Sequence, residues 1–121
     1  MHKLIILFVF GMLIPTKEYI CKATWYDTTK HKKIHRKHST AAISNDLIKS
    51  LNLTVGRKNT NSTTNGSLLI VTNLSNNKID TVEVTDVSGG VKHVDLSLSS
   101  FEKISKKSVG SIKVKVKKFG S

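Results

Sequence analysis

From residue 23 onward, short apolar runs alternate with polar turns, a period-two pattern that predicts β-strands. The first run is Ala23-Thr24-Trp25-Tyr26 and the second spans Thr40 to Ile43. Leu68 to Thr72 (LLIVT) is a continuous apolar strand, and Ile79 to Val87 alternates through Val82 and Val84. Ile112, Val114 and Val116 alternate with Lys113, Lys115 and Lys117, which predicts a last strand with one buried and one cationic face. Two short helices are predicted. One covers Asp46 to Leu51; the other is opened by Ser97 or Ser99, with Ser99 and Glu102 as a capping box ahead of Phe101 and Ile104. Asn59 to Gly66 (NTNSTTNG) reads as loop. Strands at this spacing predict a mainly β fold, a small closed or nearly closed barrel.

Ahead of this pattern, Lys3 precedes an unbroken apolar run, Leu4 to Ile14 (LIILFVFGMLI), which ends at Pro15 and the polar Thr16-Lys17-Glu18. That is the layout of a signal peptide. The run is well short of the ~20 residues a helix needs to cross a bilayer. Residues 1–21 are therefore expected to be a signal peptide cut somewhere in 16–23, and residues 22–121 a secreted domain with no stable membrane anchor. Cys21 is the only cysteine and sits beside the expected cut, so no internal disulfide is available and the thiol reads as incidental.

A length of 121 residues suits one domain and excludes a multidomain enzyme. Twenty Lys and Arg against 8 Asp and Glu give a net charge of +12, which points to anionic partners: nucleic acid, acidic lipid or acidic polysaccharide. The most basic segment is Lys30 to His38 (KHKKIHRKH), in the loop after the first strand. Lys30, Lys32, Lys33, Arg36 and Lys37 are candidate contacts to an anionic polymer such as a charged glycan, and the histidines would add charge in acid. A solvated loop that confers solubility explains the same residues equally well. Metal binding by His31, His35 and His38 is disfavoured, because the adjacent cations oppose a dication and no carboxylate or thiolate is near. No cofactor is expected. Nucleic-acid binding is a competing class, opposed by the signal peptide and the lack of aromatic-rich binding motifs.

Six segments in order carry a resemblance: Ala23-Thr24-Trp25-Tyr26-Asp27, Ser39-Thr40-Ala41-Ala42-Ile43-Ser44, Val71-Thr72-Asn73-Leu74, Val84-Thr85-Asp86, His93-Val94-Asp95-Leu96-Ser97 with Phe101, and Gly110-Ser111-Ile112-Lys113-Val114. Together they resemble the RlpA-like, barwin and expansin proteins, in the manner of a secreted fungal-type member. The resemblance implies a six-stranded double-psi β-barrel, one or two short helices, and a groove that holds polysaccharide of a cell wall or extracellular matrix. Cleaving a glycosidic bond usually takes two carboxyl groups. RlpA-like lytic transglycosylases imply a Glu in the loop after the first strand, a His after Thr-Ala-Ala and an Asp in Val-Thr-Asp. Only Asp86 is present: position 43 is Ile, residues 28 to 45 hold no carboxylate, and Val87 stands where an Arg is usual. His93-Val94-Asp95-Leu96-Ser97 resembles the His-Phe-Asp-Leu-Ser element of expansins, whose Asp matches the proton donor of barwin-related endoglucanases. Asp95, with Asp27 or Asp86, is thus the candidate catalytic set, although binding without catalysis is the favoured expectation. Trp25, Tyr26, Asp86, His93 and Asp95 are the candidate glycan contacts; adjacent on a strand, Trp25 and Tyr26 must face opposite ways. A glycan-cleaving enzyme, a protease inhibitor and a basic nucleic-acid binder stay as alternatives, and a monomer is expected.

Asn52, Asn61, Asn65 and Asn73 each begin a glycosylation acceptor pattern. Asn61 and Asn65, in the expected loop, are the preferred acceptors, whereas Asn73 is similar to a structural Asn of the family.

Overall fold

The computed structural model describes residues 16–27, 36–57 and 64–120. Six strands follow one another: β1 (Glu18–Tyr26), β2 (Thr40–Ser44), β3 (Leu68–Asn73), β4 (Ile79–Ser88), β5 (His93–Ser97) and β6 (Ile112–Lys118). Helix α1 (Asn45–Ser50) follows β2, α2 (Leu98–Ile104) follows β5, and one turn of 3₁₀ helix (Lys107–Val109) leads into β6. The strands close in the order β1-β5-β2-β4-β3-β6. β1 is parallel to β5 and β2 to β4, while the remaining neighbours are antiparallel. Parallel neighbours cannot be joined by a tight turn, so the chain crosses over between them. The result is a closed barrel, as the strand pattern predicts, of the six-stranded double-psi form with two short helices that the resemblance implies.

Alternation explains the closure. Along β3 buried and half-buried positions alternate strictly, and on β6 Val114 and Val116 point inward between lysines. Ala23, Ala41, Ile43, Leu69, Val71, Val82, Val84, Val94 and Leu96 complete the interior, and Leu47 of α1 and Phe101 and Ile104 of α2 join the same core. A barrel of so few strands has room inside only for side chains. Removing one as large as Phe101 would cost about 3–5 kcal/mol, in a chain whose one cysteine is a free thiol.

The structure differs from the sequence expectations at three places. β1 begins at Glu18, five residues before the predicted strand, and residues 18 to 23 pair with β6. Within the expected cleavage window, 16–23, only a cut ahead of Glu18 leaves β1 whole. Cys21 is a core residue, and burial, with Asp46 nearby, pushes its thiol up to about 11. The capping box does not form: Ser97 is the N-cap of α2, with no side-chain cap bond. Its hydroxyl instead accepts the Thr40 N–H at 3.2 Å, which ties β5 to β2. Among the described residues, no helix is long and apolar enough to cross a membrane.

Asn73 is structural, as its resemblance implies. Its buried amide donates to the Ile104 carbonyl at the end of α2 at 2.7 Å and accepts from the backbone and hydroxyl of Ser75. Asn76 donates to the same carbonyl at 3.0 Å. The last turn of α2 is thereby capped by the β3–β4 turn. Asn65, a preferred acceptor for glycan, is exposed, but its amide bonds to Arg57 and Arg36. Asn61 lies outside the described residues.

Candidate functional site

Strand register assembles a polar face from the outward side chains of β1, β5, β2 and β4. Thr24 is level with Asp95, Asp95 with Ala42, and Ala42 with Asp86. A β-bulge between Ala41 and Ala42 sets this register, because Thr85 is the extra residue on β4. One step away, Lys22 is level with His93, and Ser44 with Ser88. The small Ala42 separates the two carboxylates on strands whose backbones stand about 10 Å apart.

Hydrogen bonds fix this face. Thr24 Oγ1 donates to Asp95 Oδ1 at 2.8 Å and lies 2.8 Å from His93 Nε2. The hydroxyl has one proton, and it goes to the carboxylate; His93 must therefore donate from Nε2. The Tyr26 hydroxyl reaches across β5 to Thr40 Oγ1 at 2.7 Å and also bonds to Thr85. Burial raises the phenol above its ordinary value despite these bonds, so it stays neutral; with its hydroxyl tied to β2, the side chain spans β5. Asp86 is exposed, with Oδ1 accepting the N–H of Val87. Tyr26, Asp86, His93 and Asp95 therefore come together.

Other candidates do not join them. Trp25 has the parity of Ala23 and packs against the core, its indole donating to the Lys107 carbonyl at 3.2 Å and its ring facing the Lys107 ammonium at 5.2 Å. It is no part of the polar face, a correction that follows from strand alternation. Asp27 follows β1 with the same parity as Trp25, three residues beyond the level of Asp95. Ile43, where a transglycosylase-like site wants a histidine, is wholly buried.

Arg36 requires a further correction. Expected as an exposed cation, its side chain is only 1% exposed and bonds to the buried Glu83, Nε to Oε1, at 2.9 Å. Glu83 Oε1 also accepts His38 Nε2 at 2.7 Å, and Oε2 accepts the N–H groups of Asn65 at 3.0 Å and Gly66 at 2.8 Å. Burial alone would raise this carboxyl; Arg36, His38 and the two amides outweigh it and hold it at about 2. Arg36 continues to the Arg57 carbonyl and Asn65 Oδ1, so the β1–β2 and α1–β3 connections both hang on one carboxylate. Gly56 is required there, since a Cβ would stand 2.6 Å from Glu83 Oε2. Sequence reasoning missed this cluster; its signal is an acid amid the apolar alternation of Val82 and Val84, because a buried carboxylate must find a cation and donors. Lys37 is exposed, and Lys30, Lys32 and Lys33 lie outside the described residues. Among the described residues, no three His, Cys, Asp or Glu side chains are placed to hold a metal ion.

No protein-family profile and no curated protein sequence matches the chain. Solved structures do. A mutant of Clavibacter michiganensis expansin in complex with cellohexaose superposes with a TM-score of 0.61 at 18% identity, over 84% of this chain and 50% of that one. The apo form of that expansin gives 0.60 at 18% identity with the same coverage. The chain thus spans about half the length of these expansins. Streptomyces papain inhibitor gives 0.57 at 20% identity, over 86% of this chain and 96% of that one. At these identities the likeness is one of fold.

Proposed function

We propose that this is a secreted, RlpA- or expansin-like barrel that binds wall or matrix polysaccharide across its polar face, without cleaving it. The observation that carries the reading is the preordered row of Thr24, Asp95 and His93 beside the Tyr26 ring. A ring offers a sugar an apolar platform, and fixed acceptors and donors on either side take its hydroxyls with little ordering cost. Asp95 spends one oxygen on Thr24 and offers Oδ2 to a hydroxyl. Binding rather than hydrolysis is supported by the buried Ile43 and by Asp27 lying outside the row. That an expansin sharing this fold over half of its length forms a complex with cellohexaose lends weight to a glycan partner.

Sedimentation with chitin, cellulose and peptidoglycan tests the proposal. Binding to one of them should persist in ~1 M salt, where charges are screened beyond ~3 Å. Asp95→Asn should weaken it at least tenfold, since a hydrogen bond to a charged group contributes about 1.5–3 kcal/mol. Loss of all binding in high salt would sink the reading. Release of reducing ends by the wild type, but not by Asp95→Asn, would replace it with hydrolysis. A second reading, inhibition of a papain-like protease, is favoured by one observation: the likeness to the papain inhibitor extends over nearly all of that chain. Undiminished papain activity in excess protein would remove it.

A further inference from the structure

Opposite the polar face, the outward residues of β1, β6, β3 and β4 form rows of a different chemistry. Ile20, Lys115, Thr72 and Ile79 stand level, and next to them Glu18, Lys117, Ile70 and Thr81. Lys22 pairs with Lys113 one step along. Lys113, Lys115 and Lys117 stand in single file about 7 Å apart. Two open depressions of about 440 Å³ flank this file, one holding Ile20, Lys22, Ile112 and Lys113, the other Ile70, Ile79, Lys115 and Lys117. Ile20 is 51% exposed and Ile79 60%. Single exposed aliphatic residues are ordinary; aliphatic floors beside a file of lysines are not needed for solubility.

The chemistry chooses among anionic partners. Single-stranded nucleic acid is gripped by aromatic rings that stack on bases, and these rows contain none; a duplex is held through its phosphates and leaves the exposed Ile20 and Ile79 without a role. A sugar polymer needs convergent hydrogen-bonding groups, and besides the charged residues the rows and depressions hold only the scattered Thr72, Thr81, Asn77 and Ser111. An acidic bilayer takes what is present: ammonium groups at the phosphates and aliphatic side chains at the glycerol and acyl boundary, with lysine stems lying over apolar surface. We infer that this face docks on a membrane rich in anionic phospholipid. Glu18, whose carboxylate stands 4.0 Å from Lys115 Nζ, is the one opposing charge in the rows.

The test is cosedimentation of the purified full protein with vesicles of phosphatidylcholine alone and of phosphatidylcholine with phosphatidylserine. Binding should favour the anionic vesicles. K113Q/K115Q/K117Q should weaken it roughly 100-fold, at about 5-fold per lysine. K115Q alone, with its expected ~5-fold loss, serves should the triple variant fold poorly by thermal melting. I20S/I79S separates a membrane from a soluble polyanion and from the basic segment around Lys30: it should weaken vesicle binding about tenfold and leave heparin binding unchanged. Equal binding to both vesicle types, or none to the anionic ones, would overturn the inference. Vesicle binding insensitive to I20S/I79S and displaced by heparin would make the face a polyanion site instead.

Discussion

The two sides of the barrel share strands β1 and β4 yet differ in how their side chains are held. On the polar side Thr24 bonds to both Asp95 and His93, and Tyr26 is held by Thr40 and Thr85. On the cationic side the contact between charged groups is the loose one from Glu18 to Lys115. A preordered constellation can discriminate among neutral ligands because its groups need little rearrangement on binding. A file of flexible lysines attracts anything anionic and is weakened by salt. Specificity is thus expected on one side of the barrel and field on the other.

The Glu83 cluster supports only the first of these. It anchors the segment of Arg36 and His38 against β4, next to Thr40 and Thr85, which hold Tyr26. Arg36→Met should therefore be the most damaging change, costing about 3–5 kcal/mol because it leaves a buried carboxylate without its cation. Urea unfolding measures this, and a loss below about 1 kcal/mol would show that the pair contributes little. Replacing both partners, as R36M/E83Q, should recover part of the loss, because the amide removes the unpaired charge and keeps an oxygen for the Asn65 and Gly66 N–H groups.

Acid should expose the same dependence. Glu83 titrates at about 2 in the folded protein against 4.5 as a free side chain. A carboxyl with a lowered folded value contributes stability that is complete above its unfolded value and is lost as pH falls through the folded one. The loss should therefore begin near pH 4.5, reach about 3 kcal/mol by pH 2, and be absent between pH 5 and neutrality. Urea midpoints across this range read it directly. In Arg36→Met the acid loss should shrink, since without the main group holding the carboxyl down its folded value approaches the unfolded one.

Much of this was legible in the sequence, and the gaps have physical causes. Strand interiors announced themselves through Val and Ile at period two, and Lys113, Lys115 and Lys117 declared an outward face without any structure. The row of Asp95, Asp86 and His93 was recoverable because those residues sit in short motifs. Two things were hidden. The partner of Glu83 is 47 residues distant, inside a run of cations where nothing local separates Arg36 from its exposed neighbours. The first half of β1 follows an apolar leader-like run, so the alternation of Tyr19 and Cys21 with exposed residues was absorbed into the expected signal.

The smallest effect sharpens the contrast most. Glu18 is exposed at the start of β1 and stands 4.0 Å from Lys115 Nζ, both side chains being well solvated. Surface pairs of this kind contribute between nothing and about 1 kcal/mol, so Glu18→Gln should shift the urea midpoint barely at all. Its electrostatic consequence differs, because it removes the one negative charge from rows that carry Lys22, Lys113, Lys115 and Lys117. Affinity for phosphatidylserine vesicles should rise by up to about 5-fold, the value of one charge near an anionic surface. Polysaccharide binding on the other side should be unchanged, since bulk solvent and more than one screening length separate Glu18 from Asp95. A rise on both sides would mean that one ligand surface wraps the barrel, and no rise on either would mean that the lysine file meets no anionic surface.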